Sequence, residues 1–238
     1  MEEKIEQLLQ NCDDNEIRTK FIHWDNILKE IQLSEEFIEK YYTYLVANST
    51  VDLYSTQNLS IEFLDKYYTL VDWDALSMNP YLNEEMMKKY ALKLSWGLIL
   101  TKQKLSEEFL DNFVVNLDLR SLRFDDKIKR EWSIICYHQN LSEEFIRKHY
   151  KDIDWVAISV SQKLSKEFMI EFGNKLSCND LIIHQKNIDE DVIKIIGKNF
   201  DIKNDSDVNM MESFIKKYHS IPNLHELLVN IKNNRRKV

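Results

Sequence analysis

Leu33-Ser34-Glu35-Glu36-Phe37 is the stretch that decides the fold, because the same five residues return at Leu105–Phe109 and at Leu141–Phe145. Close variants stand at Leu59–Phe63 (LSIEF), Leu82–Met86 (LNEEM) and Leu164–Phe168 (LSKEF). Weaker ones begin at Ile188 (IDEDV) and Met210 (MMESF). The leading positions are mostly 22 to 26 residues apart, and 23 is the commonest spacing. A fixed period in this range is the mark of a repeat architecture.

A second block precedes the first in phase. Nine residues before a leading Leu stand Trp24, Trp73, Trp96, Trp132 and Trp155, which are all five tryptophans of the chain. Three residues after each comes Ile27, Leu76, Ile99, Ile135 or Ile158. Gln103, Gln139 and Gln162 follow seven residues after a Trp, and Gln57 falls in register where Thr50 replaces Trp. Chance does not put every Trp of a chain in one register.

The local physics of the unit is helical. Ser34 is placed to accept a hydrogen bond from an orphan backbone N–H at a helix start. Glu35 and Glu36 occupy the first turn, where the helix dipole favours negative charge. Leu33 and Ile38 flank the cap as a hydrophobic staple, repeated as Leu59/Leu64, Leu82/Met87, Leu105/Leu110, Leu141/Ile146 and Leu164/Met169. Four residues beyond the Phe position lies Tyr41, Tyr67, Tyr90, Phe113, Phe172 or Tyr218, with His149 in one copy. That spacing sets both rings on one helical face. Each unit therefore reads as a longer capped helix of about three turns, a short Asp or Asn link, and a shorter helix opened by Asp-Trp. Such a unit cannot bury its apolar faces alone; stacking on its neighbours does that. The expected fold is all-α, an α-solenoid of about eight two-helix repeats of roughly 23 residues. Residues 1–22 are expected to form an N-terminal capping helix, 23–218 the array, and 219–238 a C-terminal cap and basic tail.

Composition agrees with this reading. Three Gly and two Pro among 238 residues leave few turn formers for a sheet protein. With 44% hydrophobic residues the chain can bury a core. The net charge is −8, split into +5 for residues 216–238 and −13 for the rest. An acidic body with a basic tail suits a protein partner with a basic face and opposes nucleic acid. No signal peptide or membrane-spanning run is expected. Cys12, Cys136 and Cys178 give neither a disulfide framework nor a zinc pattern and suit a reducing, cytoplasmic compartment.

The pattern breaks in two places. Leu33 to Leu59 is 26 residues, so the first link carries three extra. After Leu105, Leu119 replaces Trp, Leu122 takes the apolar position and Ile128 the leading Leu position, yet Trp132 arrives only four residues later. One capped helix is thus expected to be shortened by about ten residues, leaving Arg120 to Glu131 as a compact charged junction. There Arg120, Arg123, Lys127, Lys129 and Arg130 stand against Asp125, Asp126 and Glu131. Specificity in a regular array must come from such departures, so these five basic residues are the expected partner-binding site.

No catalytic, cofactor-binding or metal-ligating residues are expected. A glycine-rich phosphate loop is absent. Cys136 with His138, and His219 with His225, lack the spacing that closes a tetrahedral metal site. Cys136, beside Ile134 and Ile135, reads as a buried structural thiol rather than a nucleophile. The Glu-Glu pairs recur too often for an acid–base pair, which a reaction needs once. The glutamines read either as amides that satisfy carbonyls and hold the next link, or as a ladder facing a repetitive ligand.

The strings Leu-Ser-Glu-Glu-Phe-Ile and Asp-Trp-x-x-Ile-Ser over residues 23–218 resemble helical-repeat proteins of large DNA viruses and some bacteriophages. The Lys-, Asn- and Ile-rich vocabulary is similar to proteins of AT-rich genomes of that kind. The resemblance implies a host-directed or virion-associated interaction protein, one that binds and blocks a host defence factor in the host cytoplasm. It carries no catalytic residues. The Thr50, Leu119 and Asn179 units depart from the pattern. The alternative function is a nucleic-acid-associated helical repeat, against which the −13 body stands; a third is an enzyme with an unrecognised site.

Overall fold

The computed structural model describes residues 2–10, 23–114 and 128–196, and among these there is helix and link but no strand. The chain is all-α. It divides into two compact units, Met1–Asp126 and Lys127–Val238.

In the first unit the helices are α1 (Glu2–Gln10), α2 (Trp24–Glu30), α3 (Glu35–Lys40), α4 (Tyr42–Thr56), α5 (Ile61–Lys66), α6 (Trp73–Ser77), α7 (Glu84–Lys89), α8 (Trp96–Lys102) and α9 (Glu107–Phe109). The last runs on as a π-helical turn, Leu110–Val114. Helices α2, α4, α6 and α8 pack on one another in that order, each against the helix two further on. The second unit holds α10 (Ile128–His138), α11 (Glu143–Lys148), α12 (Trp155–Ser161), α13 (Lys166–Glu171), α14 (Cys178–His184) and α15 (Glu190–Ile196). There α10 packs on α12, α12 on α14, and α13 on α15. Like helices stacking on like helices in chain order is the solenoid arrangement.

The capped helices start as their sequence dictates. Ser34, Ser60, Asn83, Ser106, Ser142 and Ser165 are extended, and each side chain accepts from the N–H three residues on, at 2.9 to 3.2 Å. The staple residues on both sides, such as Leu59 with Leu64 and Leu164 with Met169, are buried, except for half-buried Leu105.

Their length differs from the expected three turns. Helices α3, α5, α7, α11 and α13 have six residues each. They end because the ring residue itself leaves the helix: Tyr41, Tyr67, Tyr90, His149 and Phe172 lie at φ −103° to −112° and ψ 15° to 21°. The chain then folds back on that residue's carbonyl, which accepts from Leu94 N–H at Tyr90, Ile153 N–H at His149 and Leu176 N–H at Phe172. This turn delivers Leu94, Ile153 and Leu176 to the core.

The second helices open on Trp in α2, α6, α8 and α12. Asp72 and Asp154 cap α6 and α12 through their carboxylates. In the unit with the long link, α4 is two helices joined at Ser49 (φ −151°, ψ 45°), which puts Ser49 and Thr50 where Asp72 and Trp73 stand. The three extra residues are absorbed as helix. Two expectations need correction. Counting back from Ile188 assigns Asn179 to the Trp position, but α14 opens on Cys178, which is buried like a Trp. The additional residue sits in the link after Gln185. Trp132 does not open a helix; it lies inside α10, four residues after Ile128.

Burial of the tryptophans splits. Trp24 and Trp96 are 1% exposed, whereas Trp73, Trp132 and Trp155 are half-buried. Trp96 is covered by both Phe109 and Phe113, at 6.4 and 5.9 Å between ring centroids. Trp155 stacks on Phe172 at 5.1 Å and carries the Lys175 ammonium near its ring.

Candidate functional site

The glutamines face the neighbouring repeat, not solvent. Gln57, Gln103, Gln139, Gln162 and Gln185 are buried, each closing a second helix. Gln57 Nε2 donates to the carbonyls of Leu28 and Ile31, 2.7 and 2.9 Å away, and its Oε1 accepts from Leu33 N–H at 2.9 Å. Gln162 does the same with Cys136, Gln139 and Leu141. Gln185 does so with Ser159, Gln162 and Leu164. One amide thus satisfies the open carbonyls that end the preceding helix and the N–H of the link after it. This is the first of the two readings of the glutamines; the ligand-facing ladder has no free amide to offer here. Where Pro80 occupies the Gln position, Asn79 substitutes one residue earlier, donating to the carbonyls of Tyr54 and Gln57 at 2.8 Å.

The glutamate at the third position of three strings, Glu35, Glu84 and Glu143, has a partner that helix-dipole reasoning does not foresee. It receives the backbone N–H of the next cap: Ser60 on Glu35, Ser106 on Glu84 at 2.8 Å, Ser165 on Glu143 at 2.6 Å. Glu2 of α1 binds Ser34 likewise. In the last described repeat the polarity inverts: the cap is Asp189, and the residue facing it is Lys166, with Nζ 2.5 Å from Asp189 and 2.9 Å from Asp191. A second charged row lies one turn further along the capped helices, as Glu6–Lys40, Glu39–Lys66 and Asp65–Lys89, with Arg147–Glu171 in reversed sense. Lys89 and the Tyr90 hydroxyl hold the Asp65 carboxyl below its ordinary range. Burial opposes ionisation of Asp189, but Lys166 and the N–H groups of Val192 and Asp191 outweigh it and hold that carboxyl low as well.

What the ladders leave unused lies on the surface. Glu36, Glu62, Glu85, Glu108, Glu144 and Glu167, at the fourth position of their strings, are exposed, and among the described residues their side chains make no hydrogen bond or ion pair. They hold the same helical position in six strings; in the last described one that position is Asp191, paired with Lys166.

Of the expected partner-binding residues, Arg120, Arg123 and Lys127 lie outside the described residues. Lys129 and Arg130 fall within α10, so this end of the charged stretch is helix. Cys136 is buried, and removal from water pushes its thiol up to about 12, which keeps it neutral. Among the described residues no group of His, Cys, Asp or Glu is arranged to hold a metal ion, and no helix is long and apolar enough to cross a membrane. No protein-family model, no curated protein and no solved structure matches the chain.

Proposed function

We propose that the chain is a non-catalytic, protein-binding helical-repeat scaffold. The observation that carries this reading is the division of labour within the repeat. Buried polar side chains are spent on the neighbouring repeat, while in six repeats an unpaired glutamate faces solvent at a fixed position. A surface of that kind recognises by complementarity with a partner's basic face, and it steers encounter more than it adds affinity. The resemblance to repeats of large DNA viruses and bacteriophages supports a host factor as the partner, bound and blocked in the host cytoplasm. The basic residues Arg120, Arg123, Lys127, Lys129 and Arg130 form a second contact on this reading, for an acidic part of the partner.

The test is capture of partners from host cells with three proteins of equal helical content. These are the wild type, Glu36→Lys/Glu62→Lys/Glu85→Lys, and Arg120→Glu/Arg123→Glu/Lys127→Glu. A protein retained by the wild type, lost with the first variant and released by raised salt is the expected result. Retention by both variants at wild-type strength refutes the surface assignment; exclusive recovery of nucleic acid refutes the scaffold reading in favour of a nucleic-acid-associated repeat.

A further inference from the structure

Residues 57–104 and 139–186 align without a gap at an offset of 82 and are identical at 20 of 48 positions. Adjacent repeats share far less: residues 60–82 and 83–105 agree at 5 of 23. The two segments lie in different units. A longer module than the 23-residue repeat therefore occurs twice, and what both copies carry can be sorted by its structural use.

Most shared residues serve the stack. Gln57 and Gln139, Trp73 and Trp155, Leu82 and Leu164 are of this kind. Ser77 and Ser159 accept from the N–H of Ser95 and Ser177, at 2.8 and 2.9 Å. Two shared residues do not. Tyr68 and Tyr150 are 39% and 40% exposed, and Lys93 and Lys175 are exposed as well. In both copies the ammonium from one repeat lies over the tyrosine ring of the repeat before it, at 5.3 Å for Lys93–Tyr68 and 5.9 Å for Lys175–Tyr150. Both tyrosines adjoin a half-buried Trp: Tyr68 is 5.2 Å from Trp73, and Trp155 Nε1 donates to the Tyr150 carbonyl at 3.3 Å. Each Trp in turn packs at 5.1 Å on the ring ending the next capped helix, Tyr90 or Phe172. Exposed Leu70 in one copy and Val156 in the other belong to the same links and second-helix starts.

Among the described residues, neither Lys93 nor Lys175 has a carboxylate at ion-pair distance, although the cations between capped helices are paired repeat after repeat. A lysine over ring faces with no carboxylate beside it keeps its ammonium open to an incoming anion. Such a cation, beside exposed apolar surface, calls for a ligand with an anionic group next to an apolar one. Asp72 and Asp74 flank Trp73 in the chain, and Asp152 and Asp154 lie between Tyr150 and Trp155; their charge opposes a chain of phosphates more strongly than a single carboxylate. A single carboxylate can be aligned on the lysine.

We infer that Tyr68–Trp73–Lys93 and Tyr150–Trp155–Lys175, the second with Lys151 also 5.6 Å over its Tyr150 ring, are corresponding docking sites, one in each unit, for an acidic peptide segment bearing an aromatic side chain. The carboxylate pairs with the lysine and the aromatic side chain covers the Tyr–Trp surface. This inference is independent of the glutamate column.

The test is calorimetric titration of the full chain with a blocked peptide in which one Phe is flanked by Asp on both sides, with tryptophan fluorescence followed in parallel. Two equivalents bind the wild type, one binds Lys93→Glu or Lys175→Glu, and affinity in the double variant falls at least about tenfold with unchanged circular dichroism. The same peptide with Lys in place of Asp, or Gly in place of Phe, binds at least about tenfold more weakly. Three results overturn the proposal: no saturable binding, binding unaltered in the double lysine variant, or tighter binding of an oligothymidylate than of the peptide.

Discussion

Gln162 Nε2 donates to the backbone carbonyl of Gln139 at 2.8 Å, and Gln185 Nε2 repeats the bond on the carbonyl of Gln162 at 2.7 Å. Side chain and backbone of one residue type thus alternate as donor and acceptor from repeat to repeat. Gln162→Glu keeps the size and removes the donor, leaving the Gln139 carbonyl facing a carboxylate in a buried position. Net hydrogen bonds contribute about 1 kcal/mol, and an orphaned buried group costs about 1–3 kcal/mol. The expected loss is about 2–4 kcal/mol in urea denaturation followed by circular dichroism. A change within error removes the clasp from the list of what holds the stack.

The inverted pair at the last described cap makes a sharper test of how repeats recognise their neighbours. Where the cap is Ser165 the preceding repeat supplies Glu143, and where it is Asp189 it supplies Lys166. Lys166→Glu sets two carboxylates against each other and should lower the melting temperature. Adding Asp189→Ser recreates the Glu–Ser arrangement and should restore most of it. If the double variant melts no higher than the single one, the pairing does not act between repeats.

Acid should weaken the charged rows in a defined window. Asp65 is held below its ordinary range by Lys89 and the Tyr90 hydroxyl, so the folded state binds its proton less readily than the unfolded chain. That stabilisation is complete above the unfolded value of about 3.9 and is lost as pH falls through the lower folded value. Lys89→Met should therefore be less stable than wild type near neutral pH and converge with it in strong acid. Melting curves at several pH values check this. A gap that stays constant down to the acid limit contradicts it.

Most of the repeat was legible because its side chains are demanded at fixed spacings. An N-cap such as Ser142 must precede Phe145 N–H by three residues, and Leu141 must meet Ile146 across it. Helix length was not legible, because α11 ends where His149 adopts φ −103° and ψ 21°, a backbone choice marked by no Gly or Pro. The register of Cys178 was misread because counting back from Ile188 crosses a link with one residue more than its counterparts. Partners of Glu35 and Lys166 lie 25 and 23 residues away, and the sign of the charge reverses between them. Only the stacking shows that these are the same contact. The two Tyr–Trp–Lys surfaces carry a signal in the 82-residue offset, which a search confined to the 23-residue period passes over.

The tryptophans share a register but not an energetic role, and truncation should separate them. Trp96 is 1% exposed, enclosed by Phe109 and Phe113, with Nε1 donating to the Ala91 carbonyl at 3.0 Å. Trp96→Ala removes a fully buried ring and a buried hydrogen bond, so it should cost about 3–5 kcal/mol, as large core truncations do. Trp155 rests on Phe172, is half-buried, and bonds the Tyr150 carbonyl at a longer 3.3 Å. The cavity left by Trp155→Ala opens partly to water, and the residual hydrogen bond is solvated, so its cost should be well below that of Trp96→Ala. Urea denaturation of both variants gives the ranking, and acrylamide quenching of single-Trp proteins gives the exposure independently. Equal destabilisation by the two substitutions would mean that the open face of Trp155 is closed in solution, leaving that ring unable to serve as a docking surface.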